Sequence, residues 1–162
     1  MYIERALEPL VRRYSENFKI VAVTGPRQVG KTTMLKHLME EEAESGVDRV
    51  YVTLDNTAIL QTAKEDPALF LQRYRPPVLI DEIQKAPELL PYIKMIVDER
   101  DDCGSVWITG SQPLHLMKAV SESLAGRVGI VEMLGLSHSE VAGTPSEPYL
   151  PSADYFLSLI HI

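Results

Sequence analysis

Short apolar runs alternate along the chain with longer amphipathic or polar segments. The apolar runs predict five strands, at residues 18–24, 49–55, 77–81, 105–109 and 128–134. The segments between them predict helices at 1–14, 33–44, 56–74 (broken at Asp66-Pro67), 87–99 and 113–120. Strands that alternate with helices are typical of a parallel sheet covered on both faces. The pattern therefore predicts an α/β fold of three layers, α/β/α, around a five-stranded, mainly parallel sheet.

The character of the chain changes near residue 143. Proline then recurs among serine and glutamate, at Pro145, Pro148 and Pro151, and this composition is typical of a linker. We interpret the apolar residues 157–162 as a non-native tail and exclude them from functional reasoning. The sequence therefore predicts one domain at 1–142 and, at 143–156, a linker or the start of a further domain.

Composition and charge exclude several classes of protein. The 162 residues are 45% hydrophobic, which suffices for one globular core. The net charge is −7 and no basic stripe is visible, so nucleic-acid binding is not indicated. Cys103 is the only cysteine and the four histidines are scattered, so we expect neither a disulfide framework nor a zinc site. No signal peptide or membrane span is recognisable, and we expect a cytoplasmic protein.

The turn between the first strand and the second helix carries the clearest chemical signal. Residues 25–32 match the phosphate-binding pattern G-x-x-x-x-G-K-[ST] without a gap. The loop and the residue after it are Gly25, Pro26, Arg27, Gln28, Val29, Gly30, Lys31, Thr32 and Thr33. Backbone N–H groups of such a loop turn inward around a phosphate at the positive end of a helix dipole. We expect Lys31 to reach the β- and γ-phosphates of ATP and Thr32 to bind Mg²⁺; the alternative is a plain glycine turn, which gives Lys-Thr no purpose.

A second motif ends the third predicted strand. Residues 76–82 form an apolar run followed by Asp81 and Glu82, which suits a buried parallel strand whose carboxyl end opens into a crevice. Asp81 would hold Mg²⁺ through its water shell, and Glu82 would orient and polarise the attacking water. The alternative is a strand that enters a charged loop. The motif follows the phosphate loop by about fifty residues, which leaves room for one intervening strand and its helices.

Four segments carry a resemblance to a known family. They are residues 25–33, 79–85, 109–112 and 123–127, in this order. Together they resemble the prokaryotic AAA-type P-loop ATPases that carry a C-terminal domain of unknown function (DUF4143), and the resemblance extends over residues 1–142. It implies the sheet order 5-1-4-3-2 and Mg²⁺-dependent binding and hydrolysis of ATP. It also implies that a missing C-terminal domain carries target binding and that copies of the chain can assemble.

The resemblance implies roles for three further residues. Ser111 follows the fourth strand, where many AAA-type enzymes have an Asn that senses the γ-phosphate, and Ser111 or Gln112 would donate a similar hydrogen bond. The alternative for Ser111 is a polar residue in the turn after the strand, with no role at the site. Arg127 would reach the γ-phosphate as an arginine finger, in its own chain or in a neighbouring copy, unless it pairs structurally with a carboxylate. Arg27 would contact phosphate or brace a neighbour, and its residue type does not decide between them.

Three functions remain open at this point. An ATPase is the leading prediction, because the phosphate loop and the acidic strand end occur together in the right order. A nucleotide-gated protein-interaction module with little or no hydrolysis is the alternative, although Glu82 argues against pure binding. A small-molecule kinase is the third, but no lid sequence is recognisable. Without an Asn-Lys-x-Asp motif, guanine specificity is disfavoured.

Overall fold

The computed structural model of this protein describes residues 2–111, 120 and 123–144. Its strands are β1 (Ile20–Thr24), β2 (Val50–Thr53), β3 (Val78–Asp81), β4 (Val106–Gly110) and β5 (Val128–Glu132). Its helices are α1 (Glu8–Asn17), α2 (Lys31–Glu44), α3 (Thr57–Glu65), α4 (Pro67–Arg73), α5 (Leu89–Asp98) and α6 (His138–Ala142), with a 3₁₀ turn at Ile83–Lys85. None of these helices is long and apolar enough to cross a bilayer. Except for Val120, the predicted helix at 113–120 lies outside the described residues, as do Gln112 and residues 145–162.

The five strands form one sheet in the order β2-β3-β4-β1-β5, and every pair of neighbours is parallel. This confirms the predicted sheet and its order. β1 lies between β4 and β5, with Ile20 opposite both Val106 and Val128. Because all strands are parallel, their carboxyl ends meet at one edge of the sheet. The loop after β1 and the acidic end of β3 therefore lie on the same side of the molecule.

The sheet separates two apolar clusters. Ile20 and Ala22 of β1 belong to one cluster, and Val21 and Val23 belong to the other, because successive side chains of a strand point to opposite faces. Helices α3, α4 and α5 complete the first cluster, whereas α1 and α2 complete the second. Both faces are thus covered, which explains why the strands are almost wholly apolar and confirms the three layers.

The N-terminal helix begins later than its periodicity predicts. We expected a helix at 1–14, but α1 runs from Glu8 to Asn17. Pro9 lies in its first turn, where a missing N–H removes no helical hydrogen bond, whereas an interior proline would break the helix. The backbone N–H of Arg5 instead donates to the Glu8 carboxylate at 2.7 Å. This prediction was therefore wrong at its N-terminal end.

The break predicted within residues 56–74 is confirmed. α3 ends at Glu65 and α4 begins at Pro67, so the two helices are separated by Asp66 alone. The Asp66 side chain accepts a hydrogen bond from the backbone N–H of Leu69 at 2.9 Å. An acidic N-cap followed by proline is a favourable way to begin a helix.

Substitution of Ile80 by alanine tests the central position of β3. Ile80 is fully buried in the first apolar cluster, so the truncation should lower the free energy of unfolding by about 3 kcal/mol. Val50→Ala, on the edge strand and 41% exposed, is the control and should cost about 0.5 kcal/mol. Denaturant titration measures both values. Equal losses of unfolding free energy in the two variants would contradict the burial of β3 at the centre of the fold.

Candidate functional site

The phosphate loop passes tightly against the end of β5. Gly25 has a φ of 138°, and a Cβ atom there would lie 2.0 Å from the carbonyl oxygen of Met133. The backbone N–H of Met133 donates to the carbonyl of Thr24 at 2.8 Å, which fixes this approach. Gly30 precedes α2 in the left-handed conformation, with a φ of 94°. Glycine is therefore required at Gly25 both by the backbone angle and by the lack of space.

Lys31 begins α2 and lies almost buried within the loop. Its side-chain ammonium group donates to the carbonyl oxygens of Gly25, at 3.0 Å, and Pro26, at 2.6 Å. Burial lowers the pKa of Lys31, and the nearby carboxylates of Glu82 and Asp81 act in the opposite direction. Its ammonium group thus bonds to neutral carbonyl groups, which an anionic ligand can replace.

The Asp81 carboxylate joins three elements at the edge of the sheet. Its Oδ1 atom accepts hydrogen bonds from the hydroxyl of Thr32, at 2.9 Å, and from that of Thr109. Its Oδ2 atom accepts from the hydroxyl of Tyr51 at 3.1 Å. Burial and, secondly, the Asp81 charge raise the pKa of Tyr51 to about 12. A hydroxyl and a carboxylate side by side fit Mg²⁺, which takes few protein oxygens when phosphates and water supply the others.

Glu82 is held by polar neighbours just past the end of β3. It adopts the left-handed conformation, with a φ of 61°, and its backbone N–H donates to the Thr109 hydroxyl at 3.1 Å. Its carboxylate oxygen Oε2 accepts hydrogen bonds from Ser111, at 3.1 Å, and from the amide of Gln84. The same amide nitrogen donates to Ser111 at 3.0 Å. Glu82 and Ser111, two predicted site residues, are therefore in direct contact.

Most of the predicted residues surround one cleft of about 460 Å³. Such a volume is typical of small-molecule sites. The residues that line the cleft are Arg27, Gln28, Gly30, Lys31, Thr32, Thr33, Asp55, Glu82 and Lys85. Val29 instead packs against the second apolar cluster. Asp55 was missed by sequence reasoning, because a lone charged residue after a strand has no signal of its own. Lys85 lies in the segment 79–85 that carries the family resemblance, but that resemblance assigned it no role.

Arg5 is a further residue that sequence reasoning missed. Its buried guanidinium group donates to the carbonyl oxygens of Val29, at 2.7 Å, and Leu134, at 2.9 Å. It also pairs with the carboxylate of Glu140 in α6 at 3.0 Å. A single side chain thus connects the N-terminal segment, the phosphate loop and the last described helix. An isolated arginine in an amphipathic segment gives no sequence signal for this role.

Arg127 lies at the opposite edge of the sheet from the phosphate loop. It precedes β5, and its carbonyl oxygen accepts from the backbone N–H of Ile20, the first residue of β1. Its guanidinium group pairs with Asp98, with Nη2 and Oδ2 at 2.9 Å. The structure therefore shows Arg127 paired with a carboxylate, which is the structural alternative expected for it, and does not bring it to the cleft within its own chain. A role in a neighbouring copy stays a prediction.

The family model described as an AAA domain matches residues 17–142 of this chain. Curated relatives include uncharacterized proteins of Mycobacterium bovis and Mycobacterium tuberculosis. Each is 33% identical over 137 residues, which are 85% of this chain but 30% of the relative. The chain therefore spans less than a third of the length of these relatives.

Solved structures of P-loop proteins share the fold. DnaA from Aquifex aeolicus with bound AMPPCP aligns with a TM-score of 0.57 and 17% identity, over 82% of this chain and 48% of that one. The DnaC helicase loader aligns with a TM-score of 0.54 and 16% identity, over 78% and 87%. The P-loop NTPase domain of a sigma-54 transport activator from E. coli aligns with a TM-score of 0.54 and 13% identity, over 83% and 100%. At these identities the likeness establishes the P-loop NTPase fold alone.

The Arg5–Glu140 contact predicts how stability depends on pH. Burial alone would raise the pKa of Glu140, but hydrogen bonds from Ser137, Ala6 and Arg5 outweigh it and lower the pKa to about 2. A carboxylate with a lowered pKa stabilises the fold fully above its ordinary pKa of 4.5, and this contribution is lost as the pH falls from 4.5 towards 2. Glu140→Gln should therefore be less stable than the unmodified chain at pH 7.

Measurements of the free energy of unfolding between pH 7 and pH 2 test this prediction. The difference between the two proteins should shrink below pH 4.5 and vanish near pH 2. A difference that is constant over this range would contradict the account of Glu140.

Proposed function

The chain belongs to the AAA domain family, and on that premise we propose that its cleft binds Mg·ATP and hydrolyses it. One observation carries this proposal: residues of the phosphate loop and Glu82 line the same cleft, and the hydrogen bond between Thr32 and Asp81 joins the helix after the loop to the acidic strand. This is the arrangement that phosphoryl transfer to water requires, since catalysis there consists mainly of positioning and charge stabilisation.

The proposed binding step exchanges hydrogen bonds that the loop already makes. Lys31 would leave the carbonyl groups of Gly25 and Pro26 and bond to the β- and γ-phosphates. The exchange is favourable because the ammonium group then faces anionic phosphate oxygens instead of neutral carbonyl oxygens, which adds a Coulomb attraction between opposite charges. Backbone N–H groups of the loop at 25–33, other than at Pro26, and the N-terminus of α2 would hold the phosphates. Thr32 and Asp81 would hold Mg²⁺, which, when bound, neutralises charge on the phosphate oxygens.

The proposed hydrolytic step assigns the attacking water to Glu82. Its carboxylate would orient the water and accept its proton. In the described conformation Ser111 and Gln84 hold the same oxygen of that carboxylate. Ser111 would turn its hydroxyl towards the γ-phosphate when ATP enters, as a sensor of that phosphate. When Ser111 turns to the γ-phosphate, its hydrogen bond to Glu82 would be lost, and the Glu82 carboxylate would become free to act as the general base.

The remaining proposals concern the longer protein. The curated relatives are about three times as long as the match, so we assign target binding to a further C-terminal domain, of the DUF4143 type, reached through a linker at 143–156. Arg127 would act on the cleft of a neighbouring copy, because its own chain holds it at the far edge. Such an ATPase would work in the cytoplasm, where ATP is abundant.

A nucleotide-gated interaction module is the second candidate. The observation that favours it is the pair of hydrogen bonds that Ser111 and Gln84 donate to the Glu82 carboxylate. If these hydrogen bonds persisted when ATP is bound, the cleft would bind nucleotide and the protein would change its contacts with a partner without hydrolysis. Micromolar binding with turnover near zero would favour this candidate over the ATPase.

Two substitutions separate binding from hydrolysis. Lys31→Ala should weaken binding of Mg·ATP by about a hundredfold, because two charged hydrogen bonds are lost. Glu82→Gln should leave binding within about twofold and lower turnover by about a thousandfold, because the amide cannot take up the proton. Calorimetric titration and phosphate release measure the two effects over a wide range of protein concentration.

Lys64→Ala and Glu99→Gln, at exposed positions away from the cleft, serve as controls and should behave like the unmodified chain. Turnover per molecule that rises with protein concentration would support completion of the site by a neighbouring copy. Undiminished hydrolysis in both Lys31→Ala and Glu82→Gln would contradict the proposed function.

A further inference from the structure

We propose that Lys85 recognises the terminal phosphate of the nucleotide and that Asp55 holds the lysine ammonium group until a triphosphate enters the cleft. This inference rests on the function proposed above and adds a residue that distinguishes a triphosphate from a diphosphate. Lys85 and Asp55 both line the cleft, together with Lys31 and Glu82.

The sheet order places this pair at one end of the cleft. Asp55 follows β2, and Lys85 ends the 3₁₀ turn that follows β3. The phosphate loop follows β1, which is separated from β3 by β4. Lys85 and Asp55 therefore lie on the Glu82 side of the cleft, across from the loop.

That end of the cleft is where the last phosphate belongs. Thr32 and Asp81, which are in contact, would hold the metal of the proposed function. Glu82 has to face the attacking water, and the water has to lie in line beyond the γ-phosphate. A cation on the Glu82 side of the cleft therefore contacts the γ-phosphate rather than the α-phosphate or the nucleobase.

The backbone holds both residues in place, so that only their side chains need to move. The N–H of Lys85 donates to the carbonyl of Glu82 at 3.0 Å, and the N–H of Leu54 donates to the carbonyl of Asp81 at 3.1 Å. The N–H of Asp55 donates to the hydroxyl of Thr53 at 3.2 Å. Lysine suits an exchange of partners, because its flexible stem carries a compact charge.

The pair itself is weak enough to be exchanged. The Lys85 ammonium group contacts one Asp55 carboxylate oxygen, and the two side chains are 35% and 64% exposed. Ion pairs with such exposure contribute little to stability. A terminal phosphate carries more negative charge than one carboxylate and offers three acceptor oxygens. A triphosphate should therefore replace Asp55 as the partner of Lys85, whereas a diphosphate, which is one phosphate group shorter, should not reach Lys85.

Binding of two nucleotides by the full 162-residue chain tests the inference. The probes are Mg·ADP and the Mg²⁺ complex of the β,γ-methylene analogue of ATP, titrated calorimetrically. Lys85→Met keeps the length of the side chain and removes its charge. It should weaken binding of the analogue about tenfold, as expected for one charged hydrogen bond, and change ADP binding less than about twofold. Lys94→Met, exposed on α5 and away from the cleft, is the matched control and should change neither.

Asp55→Asn separates phosphate recognition from a structural ion pair. It frees Lys85 to meet the terminal phosphate, so it should strengthen binding of the analogue by about threefold and change ADP binding less. Equal losses for both nucleotides in Lys85→Met and Asp55→Asn would show a structural brace and overturn the inference. Unchanged binding in Lys85→Met would overturn it as well. If the unmodified chain bound neither nucleotide, the proposed function itself would fail, and this inference with it.

Discussion

The buried carboxylate of Asp81 fixes the geometry on which the rest of the site depends. A carboxylate that is only 7% exposed is costly to bury unless hydrogen bonds replace the lost water. Thr32 of α2, Thr109 of β4 and Tyr51 of β2 supply those hydrogen bonds. The ammonium group of Lys36 lies 3.8 Å from the centre of the Tyr51 ring and adds a direct contact between α2 and β2. The helix that follows the phosphate loop is thereby held against the strand that carries the acidic pair.

A second set of contacts holds the phosphate loop from its other side. The carbonyl of Met133 leaves no room for a side chain at Gly25, and Arg5 bonds to the loop at Val29 and to α6 at Glu140. The loop therefore lies between two segments that are far apart in sequence, one before β1 and one after β5. Since α6 is the last helix described, these contacts also connect the loop to the C-terminal end of the described residues.

The fold and the centre of the site could be predicted from the sequence because their signals are local. Apolar runs of strand length give the five strands, and the loop motif depends on eight consecutive residues. The sheet order needed the family resemblance, since periodicity does not determine which strands are neighbours. Arg5, Asp55 and Lys85 were missed because each gains its role from partners distant in sequence. Arg127 has the residue type of an arginine finger, but its position before β5 puts it at the far edge of the sheet.

Hydrogen exchange of the backbone amides with and without the β,γ-methylene analogue of ATP and Mg²⁺ tests the central claim most directly. If the phosphates bind in this cleft, N–H groups of the loop at 25–33 (all residues but Pro26 carry one) become donors to phosphate oxygens. Their exchange should then slow by at least about tenfold, together with that of residues 81–85, while the far edge around Arg127 keeps its rates. Unchanged exchange in 25–33 at saturating nucleotide, or protection confined to another surface, would contradict the account.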